Sequence, residues 1–277
     1  MKSGSGGKLT SQRTGPGATH LLLSCEHGGH SVPSKYRTHF AAYQPLLQTH
    51  RGWDPGTRQL GEQWAEALGY DLHLSTTTRL LIDLNRSEHH RRLFSEISER
   101  LSAEEKEEVK ATYYRPHRQA IVDEIKRAVV AGKKVVHIAL HSFTPVLDGH
   151  IRTAEVGLLY DPHRAGEMRL CRSWRTALQG FHQVDWRVRM NYPYRGTADG
   201  LTTALRRIFS PEDYVGVELE FNQQLVMQGA HCWRAARERL IASCHETLTG
   251  IRISNAVRPA THECLPRRAA NRTCDPF

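Results

Sequence analysis

No run of 18 apolar residues occurs in the 277-residue sequence, which excludes a membrane-spanning helix on length alone. None of the six cysteines (Cys25, Cys171, Cys232, Cys244, Cys264 and Cys274) stands in CxxC spacing. That excludes a zinc finger, and it fits scattered thiols better than a disulfide framework. There is no P-loop, no GxGxxG after a strand and no Gly-x-Ser-x-Gly elbow. A nucleotide cofactor and a serine nucleophile are therefore both without support. His-Glu-x-x-His is missing as well. The first residues are rich in Gly, Ser and Lys and have no apolar h-region, so no secretory signal is expected and the cytoplasm is the expected location.

What is present is a globular composition, 39% hydrophobic, with 38 Lys and Arg against 29 Asp and Glu and a net charge of +9. A basic balance speaks to partners and not to fold. No aromatic-interleaved basic motif accompanies it, so a small acidic substrate is a better expectation than nucleic acid. A membrane partner is not expected, and nothing in the sequence sets the oligomeric state.

The chain is organised around Leu21–Pro33, an apolar run that stops at Glu26-His27 and is followed by glycines and a proline. It predicts a buried strand delivering an acid and an imidazole to a turn at its carboxyl end, where open α/β sheets bind ligands. Val135–Leu140 runs in the same way into His141-Ser142-Phe143-Thr144-Pro145, and Tyr214–Phe221 is a third core strand carrying Glu218 and Glu220. Shorter strands are predicted at Asp71–Ser75, Arg79–Arg86, Glu155–Tyr160 and Gln183–Met190. Helices are predicted after Asp54-Pro55-Gly56, over Ala103–Val130 with a kink or break at Pro116, and over 164–178, 201–208 and 230–248. The alternation implies an α/β fold with a mixed, mainly parallel sheet and helices on both faces. We expect a flexible segment at 1–17, one domain over 18–252 and a basic tail at 253–277.

Two histidines, each at the end of an apolar strand, point to metal-assisted hydrolysis, because zinc takes neutral imidazoles and carboxylates and hydrolytic sites leave one position open. His27 and His141 are the leading ligands. For the third, Asp54 competes with His30 and with Glu26, and the alternative role of Asp54 is a helix cap. Cys25 is expected to be a buried structural thiol, and His117 a surface residue. Glu220 is the leading general base because a carboxylate on an apolar strand is desolvated and its pKa raised. Glu218 shares its phase, so periodicity does not separate the two. Arg79, Asn85 and Arg86 near one strand end, and Arg195 in the loop Asn191–Gly196, are candidate clamps for a carboxylate.

These stretches, in order, resemble the N-formylglutamate amidohydrolase family. The matching pieces are Cys25-Glu26-His27 leading to Val32-Pro33, Asp54-x-Gly56, Arg79–Arg86 and His141–Pro145. Gly157–Asp161, Asn191–Tyr194 and Glu218–Asn222 with Leu225 complete the set. The resemblance implies a zinc-dependent amide hydrolase with a phosphorylase/hydrolase-like three-layer fold, similar to zinc carboxypeptidases and aspartoacylases. It also implies a place in histidine degradation. By the same resemblance Asn85 and Arg86 form the carboxylate clamp, Glu220 is the base, and His27 and His141 hold one zinc ion. Where carboxypeptidase-type sites have His-x-x-Glu, this sequence has His30, and the Asp-x-Gly match favours Asp54 as the third ligand. The expected reaction is hydrolysis of an N-acyl amino acid such as N-formyl-L-glutamate to formate and the free amino acid. The alternatives are an amidase or peptidase for another acylated amino acid or peptide, and a non-catalytic basic binding protein on a degenerate hydrolase fold.

Overall fold

The computed structural model of the protein describes residues 19–180 and 185–250. The expectations for 1–17 and for the basic tail lie outside them. The strands are β1 Thr19–Cys25, β2 Leu72–Leu74, β3 Lys134–Phe143, β4 Val146–Leu147, β5 His150–Ile151, β6 Val156–Leu159, β7 Val188–Met190 and β8 Tyr214–Asn222. The α-helices are α1 Gln44–Leu47, α2 Thr57–Leu68, α3 Ala103–Val109, α4 Arg115–Val130, α5 Ala165–Gln179, α6 Leu201–Ile208, α7 Gln224–Met227 and α8 Ala230–Thr249. Six strands form one sheet in the order β2-β1-β3-β8-β6-β7. Every pairing is parallel except β6 with β8. β4 and β5 form a separate hairpin.

The central strands β3 and β8 are buried almost throughout, and near-continuous apolar runs are what a parallel sheet covered on both faces demands. One face packs Leu21, Leu23, Ile138, Leu140 and Leu219 against Trp64 of α2, Trp174 of α5 and Trp233 of α8. The other packs Leu22, Val135 and Tyr214 against Ile121 and Ile125 of α4 and Leu201 and Leu205 of α6. The result is the expected three-layer α/β arrangement. A third apolar cluster joins Tyr36 and Phe40 to Leu80, Leu81, Ile82, Leu84, Ile97 and Tyr114. It is built from the segments that leave the carboxyl ends of β1 and β2.

Arg79–Arg86 is not a strand. Leu80, Leu81, Ile82 and Leu84 are all buried in that third cluster, so their apolarity reflects packing all round and not pairing in a sheet. The backbone closes turns instead, with Leu81 N–H donating to Thr78 and Arg86 N–H to Asp83. Proline 116 does not break the helix either. A π turn over Lys110–Tyr114 precedes it and links α3 to α4, so the missing N–H falls within the first turn of α4. Ser102 and Glu105 start α3 with a reciprocal capping box.

Cys25, Cys171 and Cys244 are free and buried, and burial pushes the Cys25 thiol up, as suits a structural residue. No helix among the described residues is long and apolar enough to cross a membrane.

Candidate functional site

The site lies where β1, β3 and β8 end. β1 stops at Cys25, so the alternation of a strand no longer governs Glu26 and His27, and both reach the same place. His141 sits near the end of β3 and pairs in register with Glu220 of β8, while Ala139 pairs with Glu218. Parallel partners share a face, so both glutamates lie on the His141 side of the sheet. The Asp54 N–H donates to the His27 carbonyl (2.9 Å), which ties the incoming loop to the end of β1. Gly56 follows with φ +89° and starts α2. A β-carbon there would stand 2.7 Å from Val226 Cγ2 and 2.9 Å from Trp233 Cζ2. The Asp-x-Gly spacing thus has a packing reason. Asp54 does not cap the helix, because Gly56 is the N-cap and no side chain caps it.

His27, Asp54 and His141 converge, all buried, with one donor atom from each within 4.8 Å of the others. Asp54 Oδ2 lies 3.4 Å from His27 Nδ1 and 3.1 Å from His141 Nδ1. The opposite nitrogens are backed by carboxylates. His27 Nε2 donates to Asp83 Oδ1 at 2.7 Å, and His141 Nε2 faces Glu26 Oε2 at 3.3 Å. Carboxylate-backed imidazoles with their other nitrogen turned inward are the usual supporting shell of a metal site. His27 Nδ1 is buried and has no hydrogen-bond partner.

Charge follows this wiring. Burial alone would raise Asp54, but the Arg79 guanidinium and both imidazoles outweigh it and hold the carboxyl well below its usual range. Glu26 and Asp83 are likewise held down against burial, the first by His117 and His141, the second by His27 and Arg79. The pKa of His141 is raised by Asp54 and Glu26 in spite of burial. Glu220 is the exception. Burial pushes it up to about 8, with His141 and Arg79 opposing and Asp54 and Glu218 adding to the rise, and its Oε2 has no partner. Glu218 differs, because its Oε1 accepts from Thr202 Oγ1 at 2.6 Å. The two glutamates that periodicity leaves equivalent are thus distinct in three dimensions.

The remaining candidates are dispersed. Arg79 is bonded to Asp54. Asn85 Nδ2 is 3.5 Å from His141 Nε2, and its Oδ1 accepts from the Leu201 N–H at the start of α6 (2.7 Å). Arg86 lies 3.8 Å from Asp83 and donates to the Asp199 carbonyl. His30 packs on Trp53 and is not in the cluster. Arg195 is exposed, and none of the described contacts joins its side chain to the cluster. Its loop is pinned by Asn191 Oδ1, which accepts from the N–H groups of Tyr160 and Gly196, both at 3.0 Å.

Sequence reasoning missed Asp83 and the real position of His117. His117 is nearly buried on α4, with Nε2 3.5 Å from Glu26 Oε1, and is not a surface residue. A helical context favours a surface position, but α4 turns His117 inward toward Glu26.

The sequence matches the family model described as N-formylglutamate amidohydrolase over residues 19–227. A search of curated proteins finds no match. Among solved structures, gene product Atu2144 from Agrobacterium tumefaciens is similar with a TM-score of 0.71 and 26% identity, over 83% of this chain and 90% of that one. N-formylglutamate amidohydrolase from Ralstonia eutropha JMP134 shares the fold with a TM-score of 0.63 and 17% identity, over 82% and 92%. The matched span runs from β1 through α7 and takes in the whole His27–Asp54–His141 cluster with Glu220, so this chain is an amidohydrolase and belongs to the N-formylglutamate amidohydrolase family.

Proposed function

We propose that this amidohydrolase deacylates an N-formyl amino acid, N-formyl-L-glutamate first among them, to formate and the free amino acid. The observation that carries the reading is the convergence of His27, Asp54 and His141 on one buried point, with His141 paired in register with Glu220. Two imidazoles and a carboxylate fit zinc with a fourth position open. His27 Nδ1, buried and without a hydrogen-bond partner, and His141 Nδ1 both face Asp54 Oδ2, a donor set that fits a cation. His27, Asp54 and His141 would hold it.

Zinc, when bound, supplies a Lewis acid for the amide carbonyl and acidifies the attacking water. The rest is the work of side chains. Glu220 takes the proton of the water and gives it to the leaving amine nitrogen. Its burial places its pKa near working pH, and a neighbouring cation favours its ionised form. Asp83 and Glu26 fix the ring orientations of His27 and His141. Asn85 and Arg86 bind the carboxylate next to the scissile amide, with Arg79 adding positive charge beside the cluster and Arg195, exposed in its loop, a further clamp candidate.

The test is metal analysis of wild type and of the double variant His27→Ala, His141→Ala, followed by formate release from N-formyl-L-glutamate. Stoichiometric zinc in wild type, little in the variant, and formate from the substrate are the expected results. Wild-type protein that takes up no zinc when it is supplied would refute the mechanism.

A further inference from the structure

Charge at the carboxyl end of the sheet extends beyond the cluster. Arg152 follows β5 and is fixed by its backbone. Its N–H donates to the Pro145 carbonyl (2.7 Å), and its own carbonyl accepts from Asn222 Nδ2 (2.9 Å). The guanidinium lies over two rings, 5.8 Å from the Phe143 centroid and 5.3 Å from that of Tyr194. Nη1 donates to the Tyr194 hydroxyl at 3.3 Å. Stacking on aromatic faces orients a guanidinium without consuming its N–H donors. Among the described residues these are its side-chain contacts, and none is a carboxylate.

Neighbouring arginines are committed. Arg79 is bonded to Asp54 and Arg51 to Glu96, while Arg86 is assigned above to the clamp with Asn85. Arg164 and Arg206 line a cavity elsewhere with Arg207, but they spend their donors on backbone carbonyls and on Glu167. Arg152 is oriented by two rings, half-buried and has no carboxylate among its described contacts. Its location relates it to the cluster. Phe143 is two residues beyond His141 on β3, on the same face and about 6.6 Å further along. Arg152 thus packs on a residue of the same sheet face as His141, beyond it along β3. His50 senses the same excess of positive charge. Its pKa is lowered by burial and then by Arg79, Arg152 and Arg51.

We propose that Arg152, braced by Phe143 and Tyr194, is the specificity residue of the site and binds the side-chain carboxylate of an acidic N-acyl amino acid. The assignment rests on the hydrolase reading above. A half-exposed guanidinium with free donors recognises a carboxylate bidentately, whereas a neutral amide of the same shape offers one acceptor and no charge.

The experiment has a turnover arm and a binding arm. In the first, kcat/KM is measured for N-formyl-L-glutamate and N-formyl-L-glutamine with zinc-loaded wild type, Arg152→Gln and Arg152→Lys. We expect wild type to prefer the acid by about tenfold or more, Arg152→Gln to abolish the preference, and Arg152→Lys, which keeps the charge but loses the fork, to retain part of it. In the second, calorimetry compares glutarate with butyrate on wild type and Arg152→Gln, which needs no catalysis. Turnover without a preference, or a preference that survives in Arg152→Gln, overturns the assignment and leaves the deformylase reading standing. No turnover, with glutarate still favoured over butyrate only when Arg152 is present, supports the subsite and overturns the deformylase reading. No turnover and no such preference overturns both.

Discussion

Replacing Glu220 with glutamine separates its electrostatic state from its chemistry. The carboxyl is buried, has an oxygen without a partner and is raised from 4.5 to about 8, chiefly by desolvation. The folded protein without metal therefore keeps a proton that the unfolded chain releases above about pH 4.5. Stability contributed by that proton is fully present below the unfolded value and is lost as pH rises towards the folded one. Over that window the loss amounts to at most about 5 kcal/mol. Glutamine has the same shape and no charge to desolvate. In chelator-treated protein Glu220→Gln should melt close to wild type at pH 5 and several degrees above it at pH 8.5, since 1 kcal/mol is worth roughly 2–4 °C for a domain of this size. The same variant, loaded with zinc, should lose about 10²- to 10⁴-fold in kcat as the base is removed. Melting curves at the two pH values and steady-state formate release read both effects. Parallel pH dependence of wild type and variant would mean that Glu220 is ionised in the fold, and the electrostatic argument would fail. Unchanged kcat would remove Glu220 from the role of base.

Asp83→Asn keeps the shape behind His27 Nε2 but weakens its acceptor. Zinc affinity, measured by chelator competition, should fall about 10- to 100-fold, and an unaltered affinity would reduce Asp83 to a loop residue. Gly56→Ala forces a side chain into a positive-φ position against Val226 and Trp233. It should cost on the order of 3 kcal/mol by urea denaturation, whereas a loss below about 1 kcal/mol would show that the start of α2 can shift.

Periodicity reached the parts of the fold in which each residue has one job. The apolar runs ending at Cys25, Leu140 and Phe221 are strands, because strands buried on both faces must be apolar throughout. The same logic failed at Arg79–Arg86, where a run of equal apolarity is wrapped by a loop cluster and pairs with nothing. The hairpin that carries Arg152 went unread, although Asp148-Gly149, both with positive φ, has the residue types that a two-residue hairpin turn needs.

By itself the sequence determined which strands lie at the centre, that each delivers polar groups at its carboxyl end, and which residue types stand there to hold a cation. These follow from local pattern, since burial and alternation are imposed residue by residue along the chain. Only the tertiary structure decided that Asp54 joins His27 and His141 and that His30 does not. It also decided that Glu218 is satisfied by Thr202 while Glu220 is left unpaired, and that His117 turns inward. Those outcomes depend on the meeting of segments far apart in the chain, and the distances that set hydrogen bonds and desolvation exist only once the layers have packed.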